Sequence, residues 1–317
     1  MQVRDMAIRI KNGDRTALSR GITLLESSRA DHRKMAEELL KKCLPPEKPS
    51  FRMCVTGAPG VGKSSFIEVC GLLLAQKGYR TGVLTIDPSS QISKGSILGD
   101  KIRMSQLAKH PNAFVRPSPN QQEMGGINST THHIIDLLEA ARFNFIIIET
   151  VGAGQSEYSG KYVADFFVLL VSPGSGDEIQ GIKRGVLEIA DMIVVTKADG
   201  NMKLLAEKTA MIYRQPQSGH NQASVFTCSA ADRTGFDPIW NEISRYMSSE
   251  RLSEKRKESK VFWLNYRWKE AIFQTAKARY IDQVNKLEKQ VSDKTLSIEE
   301  AVQKVLDLVF TSPPNES

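Results

Sequence analysis

Gly57, Gly62, Lys63 and Ser64 stand at the spacing G-x-x-x-x-G-K-[ST] within VTGAPGVGKSSF, residues 55–66. Phosphate chemistry has a use for each of them. A polyphosphate needs several N–H donors converging on one point, and glycines let the backbone curl close without side chains in the way. The run Gly57, Ala58, Pro59, Gly60, Val61, Gly62 supplies that backbone. Lys63 adds a positive charge at the outer phosphates and Ser64 a hydroxyl for Mg²⁺. Ser65 follows in the first turn of a helix whose N-terminal dipole faces the same anion. An accidental glycine-rich turn is the competing reading. The flanks oppose it, because MCVT before the loop reads as a short buried strand and residues 66–76 after it carry helical apolar spacing.

A site that holds phosphates through one loop needs another to hold the base, and VVTKADG, residues 194–200, offers one. The Asp199 carboxylate can accept from both N1–H and the exocyclic amine of guanine, whereas adenine lacks that amine and presents an acceptor at N1. The Lys197 stem can lie over the base. In TCSAAD, Ser229, Ala230 and Ala231 can present backbone N–H groups to the guanine carbonyl. Thr196 stands where asparagine is usual, and a plain surface turn is the alternative for T-K-A-D.

Between these loops lie acids suited to Mg²⁺, an ion that takes few direct protein oxygens and keeps its waters. Asp87 closes VLTID, Asp100 sits in GSILGDK, and Glu149 closes FIIIE with Gly152 three residues on, placed to sense the third phosphate. Helix capping or a solvated loop charge is the other reading of each acid, Asp100 above all. Lys63, Asp100 and Glu149 are the expected catalytic set. In many GTPases a glutamine directly after the glycine of D-x-x-G orients the attacking water. Here Ala153 occupies that place and Gln155 is displaced by two residues, so slow, partner-dependent hydrolysis is expected.

The elements that must position these groups alternate. MCVT, TGVLTI, FIIIE, DFFVLLV, MIVVT and SVFTC are apolar on both faces and separated by helical segments, the pattern of a parallel sheet covered on both sides, with ligands at the strand carboxyl ends. The expected fold is an α/β P-loop NTPase, its mostly parallel sheet carrying helices on both faces, with helical extensions at both termini. Residues 1–49 form the N-terminal extension, two amphipathic helices over 14–44 and a linker marked by Pro45, Pro46 and Pro49; residues 50–247 form the nucleotide domain. Residues 248–317 form a C-terminal helical segment with apolar stripes such as Val261, Leu264, Trp268 and Ile272, and Ser297 with Glu300 makes a capping box.

Composition sets wider bounds. The net charge of +7 suits phosphate ligands, acidic partners or nucleic acid equally. No apolar run approaches the roughly 18 residues of a membrane span. Cys43, Cys54, Cys70 and Cys228 form no C-x-x-C pair and read as reduced, buried thiols of an intracellular protein. The start MQVRDMAIRI lacks the apolar core of a secretory signal.

Taken together, GAPGVGKSSF, LTIDPSS, GSILGDKIRMSQL, RPSP, ETVGAGQSE, GDEIQGIKRG and VTKADG resemble the methylmalonyl-CoA mutase-associated GTPase family, and GDRTALSRGITLLES extends the likeness to residues 12–310. The resemblance implies a G-protein chaperone that cycles between GTP and GDP with Mg²⁺. It would bind the methylmalonyl-CoA mutase, gate loading of adenosylcobalamin, which belongs to that partner, and protect or reactivate the enzyme. It also implies a homodimer joined through C-terminal helices, contact with the adenosyltransferase that supplies the cobalamin, and no membrane or nucleic-acid partner. The location implied is the mitochondrial matrix in a eukaryote and the cytoplasm in a bacterium. The glycine-flanked segment 174–185, with Gln180 and Lys183, is suggested as a third switch, or else is a solvated turn. A nucleotide-dependent kinase or transport-coupled ATPase, or a scaffold that binds nucleotide without turnover, stays open at this point.

Overall fold

The computed structural model describes residues 2–87, 104–119, 129–150, 156–175, 184–215 and 223–310. Three helices come first, α1 (Val3–Lys11), α2 (Arg15–Leu25) and α3 (Ala30–Cys43). Strand and helix then alternate: β1 (Phe51–Gly57), α4 (Lys63–Gln76), β2 (Thr81–Asp87), α5 (Ser105–Lys109), β3 (Ala113–Pro119), α6 (Ser129–Ala140), β4 (Phe145–Thr150) and α7 (Ser156–Val163). The second half continues with β5 (Phe166–Val171), α8 (Arg184–Ile189), β6 (Met192–Val195), α9 (Lys203–Arg214), β7 (Ser224–Thr227) and α10 (Phe236–Met247). Three helices close the chain, α11 (Glu250–Arg279), α12 (Ile281–Ser292) and α13 (Ile298–Phe310).

The sheet among the described residues has seven strands in the order β3-β2-β4-β1-β5-β6-β7, and every pairing is parallel. β1 is central: the chain builds outward to one side of it through β4, β2 and β3, then crosses to the other through β5, β6 and β7. That reversal makes the carboxyl end of β1 the switch point where an open α/β sheet binds ligands. Alternation along each strand divides the core. Met53, Val55, Ile147, Val168 and Val194 face α4 and α10, meeting Phe66, Ile67, Leu74, Ile239 and Ile243. Cys54, Phe167, Leu169, Ile193 and Val195 face the other way, toward Val186, Ala206 and Ala210 on α8 and α9. Burial on both faces explains why these strands read as unbroken apolar runs.

β3 is the strand that periodicity missed. Its Arg116, Pro117 and Pro119 break the apolar pattern, and it is tolerated because it lies at the edge, pairing only with β2. The run DFFVLLV also starts one residue late as a strand, because Asp165 turns its carboxylate to the N–H of Arg52 at 3.0 Å and to Arg256 at 2.7 Å. Beside it Lys255 reaches Asp191 at 2.8 Å and Arg52 reaches Glu139 at 2.8 Å, so the first turns of α11 are clasped to the amino ends of the strands. The N-terminal region holds one helix more than expected, since Val3, Met6, Ala7 and Ile10 bury one face of α1. Gly21 lets α2 approach α6, where a Cβ would meet Leu137 at 3.3 Å.

The chain divides into two compact units, Met1–Lys257 and Glu258–Ser317. In the second, α12 and α13 pack together, and the capping box forms as read: Glu300 N donates to Ser297 Oγ at 3.2 Å and Ser297 N donates back to Glu300 Oε2 at 3.1 Å. All four cysteines are buried thiols, and burial pushes those of Cys70 and Cys228 up to about 12. No described helix is long and apolar enough to cross a membrane.

Gly235, which leads into α10, has φ +82, and a Cβ there would stand 2.2 Å from the Thr227 carbonyl oxygen and 2.9 Å from Cys228 Cα. Gly235→Ala is therefore expected to cost about 2–4 kcal/mol of stability. Gly78→Ala, at φ +86 but with open space around it, should cost about 1 kcal/mol. Thermal unfolding of the two variants checks the contrast; equal losses would show that the close contact at Gly235 relaxes.

Candidate functional site

The loop after β1 owes its shape to three glycines in the left-handed region, Gly57 at φ +148, Gly60 at +77 and Gly62 at +100. A Cβ on Gly57 would lie 2.5 Å from the Leu170 carbonyl oxygen on β5, so only glycine lets β1 leave the sheet here. The chain then folds back and α4 starts at Lys63. The Lys63 ammonium donates to Gly57 O at 2.8 Å and Ala58 O at 3.1 Å, which holds it across the mouth of the loop. Ser64, one residue on, donates its hydroxyl to Glu149 Oε1 at 3.2 Å. Glu149 reaches this position because it lies opposite Val55 in the β1–β4 register. Its carboxylate is buried at the sheet's carboxyl edge.

The loop after β6 comes to the same place from the other side. Thr196 is buried and donates its hydroxyl to Val61 O at 2.6 Å. Lys197, in the left-handed region at φ +54, donates to Gly60 O at 2.8 Å. Asp199 is braced by the Ser229 hydroxyl, which donates to Asp199 Oδ2 at 2.6 Å while accepting from Asp232 N at 3.1 Å. The loops after β6 and β7 are joined further by Ala198 N donating to Cys228 O at 3.0 Å.

Of the residues singled out by sequence, the structure brings together Gly57, Ala58, Pro59, Gly60, Val61, Gly62, Lys63, Ser64 and Glu149 around one loop, with Lys197, Asp199 and Ser229 beside it. Asp87 ends β2 on the same edge of the sheet. Asp100, Gly152, Gln155, Gln180 and Lys183 lie outside the described residues. One role changes. The Ser229 N–H, expected to face a ligand, donates to Thr234 O at 3.0 Å instead, and it is the Ser229 hydroxyl that meets Asp199. Sequence reasoning also passed over Thr196, seen there only as a departure from asparagine. Its signal was a polar residue ending a strand of buried apolar ones.

Carbonyl-capped lysine, a hydroxyl beside a buried carboxylate, and a braced aspartate two residues after a lysine stand together at the carboxyl ends of the central strands. The ensemble defines a P-loop nucleoside triphosphatase. A family model described as methylmalonyl Co-A mutase-associated GTPase MeaB matches residues 18–280, and the chain belongs to that family of GTPases. A Mycobacterium tuberculosis protein named as a probable GTPase is 44% identical over 268 residues, 81% of this chain and 80% of its own. GTPase ArgK of Escherichia coli is 38% identical over 275 residues, 83% of each chain. The mitochondrial methylmalonic aciduria type A homolog of Mus musculus is 39% identical over 272 residues, 80% of this chain and 66% of its own. Among solved structures, one described as LAO/AO transport system kinase superposes with a TM-score of 0.72 at 29% identity over 97% of both chains.

The Thr196 hydroxyl ties the loop after β6 to the buried part of the phosphate loop, so it has a measurable consequence. Thr196→Val should leave Val61 O unsatisfied and weaken GDP and GTP binding alike by about 5–10-fold, the worth of one buried hydrogen bond, while Thr196→Ser retains affinity. Fluorescent-nucleotide titration reads the effect, and native affinity in Thr196→Val would show that the strut is dispensable.

Proposed function

We propose that this GTPase is a nucleotide-gated chaperone of an adenosylcobalamin-dependent methylmalonyl-CoA mutase. It would admit cofactor in one nucleotide state and protect or reactivate the mutase in the other. The mutase is the partner named in the family's description. The observation that carries the chemistry is the convergence of Lys63, Ser64 and Glu149 at one strand edge. Adenosylcobalamin stays with the partner, and the adenosyltransferase that supplies it is a second candidate contact. Residues 1–49, 50–247 and 248–317 would act as packing layer, GTPase domain and dimerisation segment. With this partner, the setting is the mitochondrial matrix of a eukaryote or the cytoplasm of a bacterium.

In this reading Lys63 exchanges its loop carbonyls for the outer phosphates and holds them while charge builds on the leaving oxygen. Asp199 accepts from the guanine edge and is kept in register by Ser229, and the Lys197 stem covers the base. The hydroxyl of Ser64 and the carboxylate of Glu149, 3.2 Å apart, are hard oxygens of the kind Mg²⁺ takes, with Asp87 and Asp100 as further acids. When bound, that ion would offset charge on the phosphate chain. Gly152 would offer its N–H to the third phosphate, and Gln180 and Lys183 would report its presence to the mutase. With Ala153 where a water-orienting glutamine often stands, intrinsic turnover is slow and the partner accelerates it.

Self-association is supported by the C-terminal unit taken by itself. Val261, Leu264, Trp268 and Ile272 form a stripe that stays 45–68% exposed. Phe273, Tyr280, Val284, Leu287, Val305 and Leu306 line a groove of about 470 Å³. Apolar surface of this extent on a single chain marks an interface, and a homodimer would cover it.

Phosphate release with GTP and with ATP, each with and without the mutase, is the test. GTP should be hydrolysed in preference to ATP and faster with the mutase; equal use of ATP, or no response to the mutase, would sink the reading in favour of a kinase or transport ATPase. Lys63→Ala should lower GTP turnover by about 10²-fold or more. Ser64→Ala should lose turnover yet keep GDP affinity within about threefold, because it acts through the metal. Asp199→Asn should shift preference toward xanthine nucleotides, since the hydrogen-bond demand is inverted. Undiminished turnover in Lys63→Ala would place the chemistry elsewhere.

A further inference from the structure

Of the large apolar side chains described up to residue 257, six stand exposed, and five of them, Met202, Leu204, Leu205, Met211 and Ile212, lie on α9 or just before it. Single exposed apolar residues are ordinary, whereas a cluster marks a contact surface. Ala206, Thr209, Ala210 and Tyr213 form the buried face of the helix, against β6 and β7. Leu204, Leu205, Met211 and Ile212 fall within about 120° of arc on the other side, Leu204 being 69% and Met211 61% exposed. Lys208 stands among them, and its stem can lie along the ridge with the ammonium outward.

The charges around this ridge have one sign. Lys203, Lys208 and Arg214 are exposed, while Glu207, the acid of the helix, is half-buried and accepts from the Thr227 hydroxyl at 3.0 Å. The ridge also adjoins two segments of the nucleotide site. Met202 N donates to Asp199 O at 2.9 Å, so α9 follows within a turn of the base-side aspartate. On the flank at Leu205 the chain leaving β5 comes to rest. Gly174 N donates to Thr209 Oγ1 at 2.9 Å, and a Cβ on Gly174, at φ +83, would stand 3.3 Å from Leu205 Cδ2. The segment 174–185 therefore begins against this helix.

We propose that this face of α9 is the surface on which the mutase docks, through a patch of the mutase that presents aliphatic side chains ringed by Asp and Glu. The identity of the partner rests on the chaperone reading above; the chemistry of the patch rests on the ridge. Charge decides among occupants. A second copy meeting this face across a two-fold axis would set Lys203 and Lys208 close to their own counterparts, which repel. Acids opposite them are attracted and steer the encounter. A lipid surface fits less well, because a helix in a membrane interface keeps its opposite, charged face in water, and the opposite face of α9 is covered by the sheet. A mutase docked here touches both the helix that follows Asp199 and the start of the segment 174–185.

The test titrates the full chain with purified mutase in a calorimeter and follows GTP turnover with and without it. The double variant Leu204→Asp, Met211→Asp should weaken mutase binding by about 30-fold or more, as loss of central apolar anchors does. Stimulation of turnover should go with it, while GDP affinity and unstimulated turnover stay native. Lys203→Glu, Lys208→Glu, which keeps the apolar ridge and stays decisive if the first variant folds poorly, should weaken binding by about tenfold at low salt and converge on native affinity near about 0.5 M salt. Native affinity in either variant at low salt overturns the proposed surface and leaves the chaperone reading standing. No binding by the native chain overturns that reading and the surface with it. A first variant that turns monomeric in light scattering assigns the ridge to a second copy, and a native chain that floats with phosphatidylserine vesicles where the variants do not assigns it to lipid; either result overturns the proposal.

Discussion

The backbone at Gly57 passes so close to β5 that a single added carbon would stand 2.5 Å from the Leu170 carbonyl oxygen. Much of the cleft depends on that approach. Because β1 can leave the sheet there, the next five residues, Ala58 to Gly62, curl over its end instead of continuing along it, and α4 begins with its amino terminus pointing back at the loop. Lys63 then lies within reach of the loop's own carbonyls and Ser64 within reach of the strand on the other side. A side chain at Gly57 would push β1 and β5 apart where Gly57 lies opposite Leu170.

The loop so formed is braced from the β6 side. Val61 O and Gly60 O accept from Thr196 and Lys197, both on the loop after β6, and that loop is in turn held by Ser229 and Cys228 beyond β7. Base-side and phosphate-side elements are thus one hydrogen-bonded unit in which a shift of one moves the other. Such preorganisation reduces the ordering that a nucleotide must impose on binding. On the β4 side the link is the bond from the Ser64 hydroxyl to Glu149.

How much of this was legible in the sequence follows from how local each cause is. The phosphate loop was plain because its glycines, lysine and serine are contiguous and the strand and helix beside them follow from periodicity alone. The central strands were plain because burial on both faces leaves apolar runs such as Phe145–Ile148 and Phe166–Val171. β3 was hidden by Pro117 and Pro119, whose tolerance depends on an edge position that no local pattern reveals. Thr196 was passed over and Ser229 was read for its backbone N–H alone, because the bonds their side chains make span 135 and 30 residues.

The prolines of β3 have a further effect on the molecule's behaviour in a crowded solution. An outer strand normally offers a row of amide protons and carbonyls on which another chain can build. Two of the seven residues of β3 have no amide proton to offer, and at the other rim β7 is only four residues long. Neither border of the sheet is a good template for cross-β growth. Copies of this chain that meet are therefore steered toward contacts between side chains and away from the fibrous, backbone-to-backbone stacking to which open parallel sheets are otherwise exposed.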